Sequence, residues 1–287
     1  MSVKRAIKFV LLWMGLAILF NIGVLLFEGQ GKALQFFGGY IIELSLSVDN
    51  LFVFLIIFSS FGVKREYQRR TLNYGIFGAI ILRLVFILLG IKLVSKLEWI
   101  LYIFGVILIV SGLKMMFGHD KDKNYKDSKV LKILRKIMPV TDTMHEEKFF
   151  IRNNKKLYAT PLFAILLIIE SSDILFAVDS IPAIFSISTD PFIVYTSNIF
   201  AILGLRSLYF VLSALQEKFK YVKFGVAIIL MFTGVKLGIA FFGLEIPIVA
   251  SLITIFTVLV GSVIMSLIVT RKEEKKEEEI KLKKVDL

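Results

Sequence analysis

Residues 173–184 read DILFAVDSIPAI and residues 43–54 read ELSLSVDNLFVF. Laid one over the other, Glu43 falls on Asp173, Asp49 on Asp179 and Asn50 on Ser180. Both strings lie in runs apolar enough to cross a bilayer, yet each carries two carboxylates. The correspondence continues downstream. TLNYGIFGAIILRLVFIL (71–88) matches TSNIFAILGLRSLYFVL (196–212), setting Asn73 on Asn198 and Arg83 on Arg206. FGVILIVSGLKMMF (104–117) then matches FGVAIILMFTGVKLGI (224–239), setting Lys114 on Lys236. Three spans make each unit, and an odd number inverts the second unit relative to the first. Chains built this way are expected to hold a site between the units, near the bilayer midplane.

The composition agrees with a membrane setting. Of 287 residues, 57% are hydrophobic, against roughly 45 to 50% for a soluble domain. About 20 apolar residues cross the hydrocarbon at about 1.5 Å each, and eight runs qualify: 6–27, 34–60, 72–94, 97–117, 159–182, 191–215, 222–242 and 247–270. The expected fold is therefore an all-α polytopic membrane protein of about eight spans, carrying two inverted three-helix repeats plus flanking helices. Its expected organisation is a first helix and external turn (1–33), repeat 1 (34–117), a cytoplasmic loop (118–158), repeat 2 (159–246), a last helix (247–270) and a charged tail (271–287). The basic start followed by a long apolar run without a small-residue cleavage site reads as a retained first span rather than a signal peptide. In the loop the pattern predicts a short amphipathic helix ended by Pro139. A β-hairpin over 148–159 is expected to follow, turning at Asn153 and Asn154. The mixed-charge tail reads as frayed helix or disorder.

The net charge of +12 bears on topology rather than on nucleic acid. With the N-terminus inside, only Lys32, Lys92 and Lys96 face out, and Arg83, Arg206 and Lys236 lie within spans. The rest of the 35 Lys and Arg fall on the other side, which the positive-inside rule makes cytoplasmic, both termini included. The expected location is the cytoplasmic membrane.

The intramembrane acids need compensation, because each ionised residue at the bilayer centre costs at least about 2.5 kcal/mol. Glu43, Asp49, Glu170, Asp173 and Asp179 outnumber Arg83 and Arg206. Members of each acidic pair are six residues apart, about 600° around a helix, so a straight helix would not aim both at one point. Pro182 and the serines around the acids therefore predict helices broken or bent near them, freeing carbonyls as further ligands. There is no cysteine, and His119 and His145 both lie in the polar loop. Oxygen ligands alone suit hard divalent ions such as Mg²⁺, Ca²⁺ or Mn²⁺, with Zn²⁺ or Fe²⁺ left open. Arg83 and Arg206 read as counter-ions that hold carboxylates when no cation is present. Asn73, Asn198 and Ser180 are candidate supporting groups. These features point to a secondary transporter rather than an enzyme, with a divalent cation as substrate, protons as the expected counter-substrate and Na⁺ left open. A non-transporting scaffold or assembly factor, with its acids in structural ion pairs, is the alternative.

At ELSLSVDNLFVF, at TPLFAILLIIESSDILFAVDSIPAIFSISTDPF (160–192), at YTSNIFAILGLRSLYF (195–210) and at PVTDTMHEEKFF (139–150) the chain resembles the TerC family of integral membrane proteins. That resemblance implies manganese homeostasis, principally Mn²⁺ efflux. Some family members are named for tellurium resistance, and others are linked to loading metal onto exported proteins. It also implies that Glu43, Asp49, Asn50, Glu170, Asp173 and Asp179 form the metal path, with Mn²⁺ as transported substrate and no permanently bound cofactor. Leu44 stands where the family often has Lys. A further helix with an acidic residue usually precedes the first span in the family, whereas this chain starts a few residues before that span.

Overall fold

The computed structural model describes residues 3–97, 99–117, 128–141, 143–144, 147–153, 156–215 and 221–285. The side chains of Asp49, Asn153, Leu215, Phe241 and residues 274–285 are outside that description. Among the described residues, eight helices are long and apolar enough to cross a membrane. They are α1 (Val3–Glu28), α2 (Gln30–Ser60), α3 (Arg65–Lys96), α4 (Ile100–Phe117), α6 (Pro161–Phe185), α7 (Pro191–Leu215), α8 (Val222–Ile239) and α9 (Ile248–Val285). The protein is an all-α polytopic membrane protein.

α2 is the most buried span, while α1 and α9 are the most exposed. Leu26, Phe27, Phe77 and Leu175 all stand exposed, as lipid-facing side chains do, since hydrocarbon solvates them as well as a protein core does. α2 packs on α1, α6, α7 and α9, α3 packs on α6 and α7, and α4 packs along α8. The α4–α8 crossing is close because it runs through glycines. A Cβ on Gly234 would lie 2.6 Å from the Gly105 carbonyl oxygen and 2.8 Å from Ile109; one on Gly112 would lie 2.7 Å from the Ala227 carbonyl oxygen and 2.6 Å from Met231. Small residues let helix backbones approach in a bilayer, where no hydrophobic force drives helices together.

Several expectations need correction. The external turn expected over 28–33 is Gly29 alone: its φ of 88° lies in the region glycine enters without penalty, so α1 passes into α2 in one residue. α3 begins at Arg65 rather than 72, because REYQRR is built mostly of good helix formers. α2 and α6 are continuous helices through their acidic residues, so of the broken or bent helices expected the break does not occur. The serines do not pull the chain out of the helix. Ser45 Oγ donates to the Ile41 carbonyl at 2.6 Å, Ser171 to Leu167 at 2.7 Å and Ser172 to Ile168 at 2.9 Å. This back-bonding lets a polar side chain stay in an apolar helix. Pro182 lies one turn from the end of α6, and its missing N–H removes one bond, to the Val178 carbonyl, without ending the helix.

Between α4 and α6 the amphipathic segment forms α5 (Lys129–Ile137). Its N-cap Ser128 accepts from Leu131 N–H at 3.2 Å, a typical cap contact, and Leu131 and Leu134 are buried against α6. β1 (Phe150–Asn153) and β2 (Lys156–Ala159) pair antiparallel, with Asn153 opposite Lys156. Asn153 thus belongs to the ladder rather than to the turn, and Asn154 lies outside the described residues. α9 runs on through the charged tail to Val285. His119 and His145 are outside the described residues.

The apolar interior falls into two main clusters with a polar layer between them. On α3 one cluster ends at Ala79 and the other begins at Ile87, with Arg83 between. On α6 the boundary lies between Ile169 and Ala177, around Asp173; on α7 it falls between Ala201 and Ile202, one turn past Asn198. On α2 it lies between Leu46 and Leu51, around Ser47 and Asn50. Four helices thus bring polar groups to one level near their middles.

Candidate functional site

Arg83 is the centre of this layer and is 1% exposed. Its Nη1 donates to Glu43 Oε2 and, at 2.8 Å, to Asn198 Oδ1; its Nη2 lies 3.7 Å from Asp173 Oδ1. One guanidinium from α3 therefore ties together α2, α6 and α7. Glu43 is fully buried and also accepts from Ser47 Oγ at 3.1 Å, one turn along its helix. Asn198 is oriented by its own Nδ2, which donates to the Val194 carbonyl at 2.8 Å. That bond leaves the amide oxygen facing Arg83. Two carboxylates around one fixed cation leave excess negative charge, and the set is acidic on balance.

The centre is incompletely satisfied. Asp173 Oδ2, Glu170 Oε2 and Arg83 Nε are buried and make no hydrogen bond with the described residues, and neither does Ser180 Oγ, which lies further along α6 beside Asp179. A buried polar atom without a partner costs about 1–3 kcal/mol, so such atoms gathered at one level call for an explanation. Glu170 and Asp173 also line one small cavity, about 30 Å³, walled by Leu51, Phe54, Ala79 and Ile202 and reached by Arg206. That is room for a water or a bare cation and little more. The carboxylate of Glu170 lies in the space that a side chain at Gly78 would fill. Glycine at 78 is thus what admits Glu170 between α6 and α3.

The remaining expected residues stand apart. Asp179, on the same helix but roughly 9 Å further along, accepts from Ser111 Oγ of α4 at 2.7 Å. The angular offset read from the six-residue spacing is therefore real: Asp173 meets α3 and Asp179 meets α4. Arg206 holds no carboxylate among the described residues; its Nη1 donates to Asn73 Oδ1 at 2.6 Å. Asn50 is buried, and the Asp49 side chain is outside the description. Among the described residues no three acidic or histidine side chains converge. Reasoning from sequence missed Ser111 and Gly78, and read Ser47 only as a competitor for helical bonds rather than as a partner of Glu43. Ser111 was within reach, since Ser111-Gly112 aligns with Thr233-Gly234 in the strings quoted above, and Ser47 stands four residues from Glu43. Gly78 carries no such signal.

Residues 28–274 match the model of the integral membrane protein TerC family. The chain belongs to the TerC family. Among TerC relatives, a candidate membrane-bound redox modulator, Alx, of Escherichia coli K12 is 46% identical over 283 residues, covering 96% of this chain and 88% of its own length. An uncharacterized membrane protein of Myxococcus xanthus is 44% identical over 268 residues, covering 93% and 84%. One from Rickettsia bellii is 42% identical over 268 residues, covering 93% and 88%. No solved structure matches the chain. The matching TerC family is one of integral membrane proteins.

Proposed function

We propose that this TerC protein is a secondary transporter that exports a divalent cation, Mn²⁺ above others, through the buried carboxylates of its central layer. The observation that carries this reading is the Arg83 centre, where acids from α2 and α6 are held in the membrane interior by one guanidinium. Intramembrane ionisable groups are costly and mark ion paths. Arg83 pairs with Glu43 and Asp173 and offsets one of their two charges. An entering cation would compete for the same oxygens, including the unpartnered Asp173 Oδ2 and Glu170 Oε2, and Arg83 would withdraw. Protonation of the carboxylates would release the cation on the far side.

Reciprocal contacts support two inverted units, 34–117 and 159–246, rocking about this layer. Arg83 bonds Asn198 while Arg206 bonds Asn73, and these are the residues that the repeat alignment equates. Gly112 meets Ala227 and Met231 while Gly234 meets Gly105 and Ile109, the same exchange with a constant offset. Cytoplasmic termini in the plasma membrane follow from the Lys and Arg distribution.

The relative in Escherichia coli carries a redox name, and a second reading is a scaffold that acts on redox or metal-dependent partners without transport. This chain has no cysteine, so any redox effect of its own would not come from thiols. Moving a redox-active cation would be one route to such an effect. Cells loaded with radiolabelled Mn²⁺ separate the readings: wild-type expression lowers retained Mn²⁺ below that of cells without the protein, while Glu43→Gln and Asp173→Asn variants do not. Wild-type retention equal to that of the variants and of cells without the protein would exclude export. Uptake into proteoliposomes with and without a pH gradient then tests proton coupling.

A further inference from the structure

α1 and α3 both pack on α7, and a lateral groove of about 400 Å³ separates them. Phe9 and Trp13 of α1, Phe77 and Ile80 of α3 and Leu203 of α7 form its walls, and the Asn73–Arg206 pair lies in it. Asn73 also lines a second cavity, about 710 Å³, at the start of α3, together with Arg65, Arg69 and Arg70 and with Glu66 and Glu147. The two spaces adjoin at Asn73. One is apolar and faces lipid; the other is polar and lies at the membrane end where α1 also presents exposed Lys4 and Lys8.

We propose that this joined space is a binding site for one anionic phospholipid, with its phosphate among Arg65, Arg69 and Arg70 and an acyl chain between α1 and α3. Three observations carry it. Open apolar space between helices forfeits dispersion contacts, and in a bilayer hydrocarbon chains are the material at hand to fill it. Three arginines face two carboxylates in the polar cavity, and among the described residues none of the three forms an ion pair. Arg70 lies over the Tyr74 and Phe149 rings, at 5.9 and 5.2 Å from their centroids, which positions its guanidinium without neutralising it. Arg206 is a guanidinium within a span whose described bond is to a neutral amide, and an anion in the adjoining cavity offsets that charge. A protein helix is the poorer occupant: at about 10–12 Å across, roughly one turn would fill the groove.

The test uses the full chain, extracted in mild detergent from vesicles of equal phosphatidylglycerol and phosphatidylcholine and weighed by native mass spectrometry. Retained lipid should be enriched in phosphatidylglycerol by about fivefold for each arginine that reaches the phosphate. Arg69→Gln with Arg70→Gln should bring the retained lipid toward equal amounts of the two. Ile80→Trp, which fills the groove, should lower retention of both. Folding of each variant is checked by its thermal midpoint, and competition on the wild type needs no variant: soluble glycerol 3-phosphate should fail to displace the lipid. Equal retention of the two lipids by the wild type, full displacement by glycerol 3-phosphate, or a dimer that Ile80→Trp abolishes would each overturn the proposal.

Discussion

At the scale of single residues, Arg83 should be the most sensitive position in the molecule. Removing one partner of a buried ion pair leaves the other charge uncompensated, at a cost of about 3–5 kcal/mol. Arg83→Gln is therefore expected to lower unfolding stability in detergent by that order, because Glu43 and Asp173 are then left without their cation. Arg83→Lys should recover only part of it, since one ammonium cannot serve Glu43, Asn198 and Asp173 with the spread of a guanidinium. Gly78 makes a different case. A methyl group there displaces the carboxylate of Glu170, but that carboxylate ends a flexible side chain and can move. Gly78→Ala should leave the thermal midpoint nearly unchanged and, if the proposed export holds, slow Mn²⁺ transport. In a Glu170→Gln background it should slow transport no further, and additive losses in this double-mutant cycle would show that the two residues act separately.

At the scale of elements, the α4–α8 crossing is set by backbone contact and should tolerate little. Gly234→Ala drives a methyl group against the Gly105 carbonyl, and overpacking of this kind costs about 1–3 kcal/mol. At Gly238, one turn along α8, a methyl group would meet no neighbour within 4 Å, so Gly238→Ala should be neutral or slightly stabilising. Unfolding midpoints of the two variants test this contrast. The start of α7 makes a second element-level case. Asp190 precedes Pro191 and caps the helix, its Oδ1 accepting from Phe192 N–H at 2.9 Å and Ile193 N–H at 3.3 Å; Lys32 lies 3.2 Å from its Oδ2. Partial burial pushes the Asp190 carboxyl up, but the Lys32 contact and the two N–H bonds outweigh it and hold the group below its usual range. A carboxyl lowered on folding stabilises the protein above its unfolded pKa of about 3.9 and loses that contribution as pH falls through the folded value. Asp190→Ala should cost about 1 kcal/mol near neutral pH, and the gap to wild type should close in strong acid. A gap that stays constant across that titration would mean the carboxylate is not what holds the cap.

At the scale of the whole molecule, a layer of charge between two apolar clusters divides the bundle. The layer crosses α2, α3, α6 and α7 near their middles, which is where a barrier between two aqueous sides has to stand. The absence of native cysteine makes the predicted orientation easy to examine. Thr189→Cys, in the turn before α7, should react with a membrane-impermeant maleimide on intact cells. Lys129→Cys, on α5, should react only after the membrane is opened. The reverse pattern would invert the topology drawn from Lys and Arg.

Much of this protein could be read from its residues alone. Eight spans, the loop helix stopped before Pro139 and the hairpin all follow from local composition and periodicity, which act along the chain. What could not be read depended on which helix faces which. DILFAVDSIPAI predicted a distortion that would turn Asp173 and Asp179 toward one point. In the bundle α6 stays helical, because its serines bond back along it, and the two acids answer to different neighbours, Arg83 on α3 and Ser111 on α4. The two arginines that the sequence reads alike, Arg83 and Arg206, likewise have unlike surroundings, one with two carboxylates and the other with an amide. The sequence by itself determined that charge had to be compensated inside the membrane; only the packing of four helices at one level decided which residue compensates which, because ion pairs form between side chains brought within a few ångströms of each other and not between positions in a string.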